Sequence, residues 1–498
     1  MPASLNRKIA DGALWMLLFK AVERSIGFVS TLILVRLLLP ADFGIVAMAI
    51  AFIAVAELLS AVGFDFALIH NQDATEVHYS TAWTGTLLLG FAIAALMLLA
   101  AVPVASFYRE PQVVWVVVAL AFGPLISGFE NIGVVDFRKN LDFRREFTFQ
   151  LSRKAVGFVV TIPLALILQS YWALVAGMLS TKLTGVIASY VMHPFRPRLT
   201  LMKLREMIRF SRWVLLNNVV GLLKERLADF VVGRWFGPAS LGVYSISYEL
   251  ATLPATELSA PINRALLPGF ARMQNSEEIS SAYEYALGIL ALVALPVAGG
   301  LFAVAPYLVP VMLGANWLEV VPLLEVLAFN GAIVVFHSSI SGVLFGRGFP
   351  ERVTLTNACY VAILVALLVT FSLSLGVIGA AYAILLSSII CTPIFLYQVK
   401  ACLDIGPSMF VRAVTRPLLA TLGMAVIVRM VLPAPMATTP IAVMTAWLCA
   451  GVAIGAGCYF VLVTAGWLLA GRPNGPESAA LARFRSSYMN RRSARTKL

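Results

Sequence analysis

Lys20, Glu23 and Arg24 stand at i, i+3 and i+4 in an otherwise apolar stretch, so a helix there carries all three on one face. Lys224, Glu225, Arg226 and Asp229 repeat the theme in a second apolar stretch, where Arg226 and Asp229 can pair at i, i+3. Lys182 adds a cation in a third. At the centre of a bilayer each ionised side chain costs about 2.5–3.5 kcal/mol on insertion scales, so three facing lipid would cost roughly 8–10 kcal/mol. Such a face must turn to protein or to water. Buried salt bridges locking helices together are one outcome. A hydrated central cavity whose cations bind an anionic cargo is the other. The mixed clusters lie in related spans of the two halves of the chain, which favours the cavity. Asn217 and Asn218 either line it or bond neighbouring helices.

The elements that carry these groups are membrane spans. The chain has 498 residues, 60% hydrophobic and 12% charged, with a mean hydropathy of +0.89. A soluble chain is about half apolar and a quarter charged. Apolar runs of about 20 residues match a hydrocarbon core of ~30 Å, and helix satisfies the backbone within each run. The expected fold is an all-α polytopic membrane protein of about fourteen transmembrane helices. That excludes a soluble enzyme, a nucleic-acid-binding module and a disulfide scaffold. A period-two barrel pattern is absent. The N-terminus does not read as a cleavable signal peptide, because Lys20, Glu23 and Arg24 interrupt its apolar stretch.

The net charge of +12 reports topology first. With the N-terminus in the cytoplasm, 28 of the 37 Lys and Arg residues fall on inside segments. Six lie in 134–154 and six in 193–212. Both termini are then cytoplasmic. The loop 64–80 is an exception, with Asp65, Asp73 and Glu76 but no Lys or Arg. Residues 471–498 form a basic tail.

Shifting the sequence by 198 residues brings Trp15 onto Trp213, Arg36 onto Arg234, Pro40 onto Pro238, Ala41 onto Ala239 and Gly44 onto Gly242. Both copies run outward, so the repeats are parallel, as in transporters built from two six-span halves. The expected division is a lobe at 1–192, a second at 193–400, two further helices at 401–470 and the tail. In Arg-x-x-x-Pro-Ala-x-x-Gly, Pro starts or stops a helix, Gly permits close approach and Arg reaches the outer interface. Trp317 reads as an interface anchor, and Glu57, Glu249, Glu257 and Glu325 as isolated carboxylates. The five cysteines form no CxxC, His70, His78, His193 and His337 have no ligand spacing, and no metal site or cofactor is expected. No Walker or His-Glu-x-x-His sequence is present.

The stretch Leu34–Ala49 resembles the first-loop signature of the polysaccharide transporters, oligosaccharide-lipid flippases of the multidrug/oligosaccharidyl-lipid/polysaccharide exporter superfamily. Gly63–Ile69, Gly242–Pro254, Leu313–Trp317 with Pro322-Leu323-Leu324, and Gly346-Arg347-Gly348 carry the same likeness, which spans roughly residues 10–400. The resemblance implies a MATE-like fold, two six-helix lobes around a central cavity plus two helices. It implies a bacterial inner-membrane protein, not an enzyme, that moves an undecaprenyl-pyrophosphate-linked oligosaccharide to the outer leaflet for capsule, exopolysaccharide or O-antigen export. Partners would be the lipid-linked substrate, membrane lipids and polysaccharide polymerase or other assembly proteins, with no nucleic acid. Lys20, Arg24, Lys224, Arg226 and Lys182 would then meet pyrophosphate or acidic sugar, and Glu23, Glu225 and Asp229 are candidates for ion coupling. A cation-coupled drug or metabolite exporter, a membrane glycosyltransferase or ligase, and an envelope scaffold remain the competing readings.

Overall fold

The computed structural model describes residues 20, 22–58, 64–204, 212–272, 276–403, 406–436 and 438–472. Among these there is no strand. Helix α1 covers 22–37, followed by α2 (Pro40–Glu57), α3 (Phe64–His70), α4 (Glu76–Tyr108), α5 (Gln112–Gly128), α6 (Val135–Lys139), α7 (Phe143–Leu168) and α8 (Trp172–Met192). Then come α9 (Arg212–Arg272), α10 (Ser276–Met312), α11 (Val320–Gly346), α12 (Pro350–Leu375), α13 (Val377–Leu403), α14 (Pro407–Val431) and α15 (Ile441–Leu469). Ten helices are long and apolar enough to span a membrane, and α5 with the segment Ile132–Lys139, bent by 68°, makes an eleventh. The partly described α1 and the two arms of α9 are further helical segments, so the described residues agree roughly with the fourteen expected. The chain is thus a multi-pass, all-helical membrane protein.

Local sequence sets the breaks. Leu39 is extended, Pro40 opens α2, and Asp42 accepts the Leu39 N–H at 3.0 Å. At the equivalent place in the repeat, Gly237 takes φ 81° and ψ −176°, and Pro238 starts the second arm of α9. Copy one therefore turns with an ordinary residue and a carboxylate cap, copy two with a glycine.

The chain divides into two compact units, Met1–Ser245 and Ile246–Leu498. The division falls inside α9, whose first arm packs with the first unit at the junction described below.

In the first unit, the bend after α5 is built on buried Asn131. Its side chain accepts from Gly133 N–H at 3.0 Å, and its own N–H donates to Ser189 Oγ at 2.9 Å. The acidic loop that breaks the charge rule meets its counterions here. Arg138 reaches Asp65 at 2.8 Å and Lys139 donates to the Asn71 carbonyl at 2.8 Å.

In the second unit, α10 packs on α11, α14 and α15 around Ala303, Tyr307, Met424 and Val428. Two expectations are corrected in this unit. Trp317 is fully buried, part of the core under the turn at Ala315–Trp317 and no interface anchor. Glu325 is not isolated, because Arg429 of α14 pairs with it and also donates to the Phe302 carbonyl at 2.7 Å.

Candidate functional site

The charges of α1 and α7 come together. Glu23 stands 3.0 Å from Lys20 and 3.7 Å from Lys154. Lys154 was expected in a cytoplasmic segment, but α7 begins at Phe143, so Arg153 and Lys154 lie well inside the helix. On the adjoining flank of α7, Arg153 reaches Glu130 at 3.3 Å. Gly185 of α8 makes room for that pair, since a β-carbon there would stand 3.0 Å from both the guanidinium and the carboxylate. Lys182, one turn before Gly185, also acts on Glu130.

The strip along α7 holds Lys20, Arg153, Lys154 and Lys182 with Glu23 and Glu130, and the carboxylates of Asp65 and Glu146 also act on Glu130. Arg24, one residue beyond Glu23 on α1, is exposed. Lys20 and Lys154 keep nearly half of their side-chain surface open. Ammonium groups this open can meet an anion as well as the Glu23 carboxylate. Glu130, Arg153 and Lys154 were missed in the sequence because they sit at the ends of apparent spans. A signal existed: cations at 153 and 154 beside an apolar run place one on each flank of the same helix turn.

The charges of α9 are arranged differently. Arg226 and Asp229 form an i, i+3 pair at 3.1 Å, with Asp229 buried. Lys224 and Asn218 are half-buried and Glu225 is exposed. Asn217 lies in α9, but its side chain falls outside the described residues. Tyr108 of α4 packs its ring against Gly233, one turn beyond Asp229. Among the described residues no group of three His, Cys, Asp or Glu is placed to hold a metal ion.

The second unit offers the opposite surface. A groove of 790 Å³ runs between α10, α14 and α15, lined by residues such as Pro296, Gly300, Met424, Val428, Gly451 and Gly455. Gly451 and Gly455 form a G-x-x-x-G face on which α15 crosses α14 closely. The Tyr459 hydroxyl on the groove wall is satisfied by the Leu292 carbonyl at 3.0 Å. Helix α15 is the least buried of the ten helices long and apolar enough to span a membrane, so the groove lies beside a helix with a largely open apolar surface.

A strap closes one end of the first unit. Residues 193–204 leave α8 and run over the start of α4. Arg198 N–H donates to Ser80 Oγ at 3.3 Å, Thr200 N–H to Thr84 Oγ1 at 3.1 Å and Lys203 N–H to Thr81 Oγ1 at 3.4 Å. Asn131 Nδ2 donates to the Phe195 carbonyl at 2.7 Å. His193 Nδ1 accepts from Phe195 N–H at 3.3 Å, which leaves the proton on Nε2, 3.4 Å from Asp136. The Tyr79 hydroxyl donates to the other Asp136 oxygen.

Known proteins give the frame. The chain is 24% identical over 401 residues to the lipopolysaccharide biosynthesis protein WzxC of Escherichia coli (strain K12), covering 78% of this chain and 80% of that one. It is 25% identical over 483 residues to the succinoglycan biosynthesis transport protein ExoT of Rhizobium meliloti (strain 1021), covering 93% and 94%. Its fold matches that of the lipid II flippase MurJ in an inward closed conformation, with a TM-score of 0.74 at 13% identity over 91% of this chain and 99% of that one. Residues 33–322, more than half of the chain, match the model of the family described as "Polysaccharide biosynthesis protein", and the chain belongs to that family.

Proposed function

We propose that the protein translocates a polyprenyl-pyrophosphate-linked oligosaccharide from the cytoplasmic to the outer leaflet of the bacterial inner membrane, for polysaccharide export. The observation that carries this reading is the pair of half-open ammonium groups, Lys20 and Lys154, gathered on Glu23 where α1 meets α7, inside a chain built of apolar helices. Such a pair suits a pyrophosphate or acidic sugar, which cannot cross hydrocarbon unshielded. The groove between α10, α14 and α15 suits the polyprenyl tail. Lipid tails are as apolar as the groove, so the tail gains little by entering it and is not held fast. It can slide while the headgroup moves. An inside-negative potential drives an anion outward by about 2.3 kcal/mol per charge per 100 mV.

Transport runs by alternating access between six-helix lobes at 1–192 and 193–400, with 401–470 as an accessory pair and both termini cytoplasmic. The cations Lys20, Arg24, Lys182, Lys224 and Arg226 contact the cargo, joined by Arg153 and Lys154. Asn217 and Asn218 line its path, and Glu23, Glu225 and Asp229 are the ion-coupling candidates. The polymerase that consumes the cargo is the natural partner. The test is surface polysaccharide in a deletion strain complemented with Lys20→Glu/Lys154→Glu. Loss of surface polysaccharide at unchanged membrane protein level is expected. Full export by the doubly reversed variant would falsify the cargo role of the strip, and a drug-sensitive deletion strain with normal polysaccharide would point to a multidrug exporter.

A further inference from the structure

The two Arg-x-x-x-Pro-Ala-x-x-Gly copies touch, reciprocally, inside the first unit. A β-carbon built on Gly44 would overlap the carbonyl oxygen of Pro238, and one built on Gly242 would overlap the carbonyl oxygen of Pro40. Each glycine receives the proline carbonyl of the other copy, so the contact obeys the symmetry of the repeat. It lies at the end opposite the strap. Tyr171 N–H donates to Asp42 at 3.0 Å, which places the start of α8 beside this junction. The strap begins where α8 ends, 21 residues later and about 30 Å away. The aromatic end of α4 flanks the same junction, with Tyr108 against Gly233 and Phe107 under the Arg234 guanidinium at 5.6 Å.

Two helix starts held backbone to backbone leave no passage for a sugar between them. The closest atoms are carbonyl oxygens and glycine α-carbons, whose mutual attraction is of the weak Cα–H···O kind. With no side chains interlocked at the two glycines, the starts can separate and meet again without repacking there. Each copy also begins its helix with a proline just after a non-helical residue, Leu39 or Gly237, which gives each start a place to swing.

We propose that the Pro40–Gly44 and Pro238–Gly242 starts form the outer gate of the transporter: they meet while the protein faces the cytoplasm and must part once per transport cycle. This rests on the transport reading above. The experiment uses the full chain with its five cysteines replaced and Ala41→Cys paired with Ala239→Cys. Cells are treated with a short cleavable bifunctional thiol reagent. Cross-linked protein is expected to lose surface polysaccharide export down to the level of the deletion strain, and cleavage of the linker restores it, while each single variant ignores the reagent. Normal export by quantitatively cross-linked protein overturns the gate, as does failure of the pair to cross-link with both short and longer reagents. A deletion strain with intact polysaccharide would instead remove the transport reading. The gate is then judged by a second measurement that needs no cargo. In Gly44→Ala/Gly242→Ala protein, labelling of Ala41→Cys by a membrane-impermeant maleimide is expected to rise several-fold, and unchanged labelling overturns the gate.

Discussion

The first unit closes its two ends by different means. At the junction, two helix starts meet through bare backbone, and glycine is required because any β-carbon would strike a carbonyl. At the strap, an extended segment is sewn down by side chains: Ser80, Thr81, Thr84 and Asn131 each take or give a hydrogen bond to it, and His193 anchors its first turn. The junction is intolerant of added atoms, and its closest atoms attract each other only weakly. The strap tolerates small changes of shape but is costly to open, since each buried polar group left unpaired costs about 1–3 kcal/mol. An end that has to open is better built the first way, and an end that keeps two repeats tethered is better built the second.

The sharpest way to break this contrast is to enlarge the junction glycines. Gly44→Leu/Gly242→Leu places side chains where backbone carbonyls stand, and a backbone cannot yield as a side chain would. Overpacking alone costs about 1–3 kcal/mol, and here it falls on two helix starts at once. Export in cells is expected to vanish while the protein still reaches the membrane. The matched control is Gly27→Leu/Gly457→Leu, where a β-carbon meets nothing within 4 Å. Surface polysaccharide and membrane protein level are measured together, and a junction variant that exports like the control would remove the distinction between the ends.

How far the sequence foretold this contrast depends on the kind of interaction. Span positions were legible because hydrocarbon imposes length and composition, and the expected limits of α4, α8 and α15 lie within a few residues of those found. The repeat was legible through Trp, Arg, Pro and Gly in register, and the close-approach role of Gly44 and Gly242 followed from residue type. What did not follow was that they approach each other, because contact between segments 198 residues apart leaves no local trace. The strap was hidden for a related reason: Ser80, Thr81 and Thr84 look like any small polar residues at a helix start until the segment they hold is in place. Trp317 shows the reverse error, a residue assigned by its usual habit at interfaces and found in the core. The strip failed halfway. Lys20, Glu23 and Arg24 were found by spacing, but Lys154, which reaches Glu23, and the Arg153–Glu130 pair beside it sit near span ends, where a charge looks ordinary.

A smaller effect is expected from loosening the strap. Asn131→Ala leaves Gly133 N–H without its acceptor at a fully buried position and takes one of two donors from the Phe195 carbonyl. The Phe195 carbonyl keeps the Arg196 guanidinium at 2.9 Å, so the local cost is that of the one unpaired N–H, about 1–3 kcal/mol. Proteolysis within 193–204 in detergent-solubilised protein should accelerate, while cross-linking of Ala41→Cys to Ala239→Cys at the far end stays unchanged. Thr84→Val is a milder version, losing the bond accepted from Thr200 N–H and the hydroxyl's donation to the Ser80 and Arg198 carbonyls with little change of shape. If loosening the strap also released the junction, the two ends would be one structure and the contrast would fail.

The least disruptive probe of the strap is a proton. Burial holds the His193 imidazole below its ordinary pKa, opposed by Asp136 and aided by the like charges of Arg145 and Arg196. The fold therefore prefers neutral His193, and the unfolded or detached segment binds the proton more readily. The stabilisation is fully present above the ordinary value of about 6.5 and is lost as pH falls through the lower value of the folded protein. Protonation at Nδ1 also sets an N–H against Phe195 N–H and removes that hydrogen bond. Amide exchange across 193–200 should thus be faster near pH 5.5 than near pH 7.5 after correction for intrinsic rates, and His193→Gln should flatten the difference. Exchange at 40–46 should not follow the same curve, because the junction has no such group among its contacting atoms. A common pH response at both ends would mean that the proton acts on the unit as a whole and not on its strap.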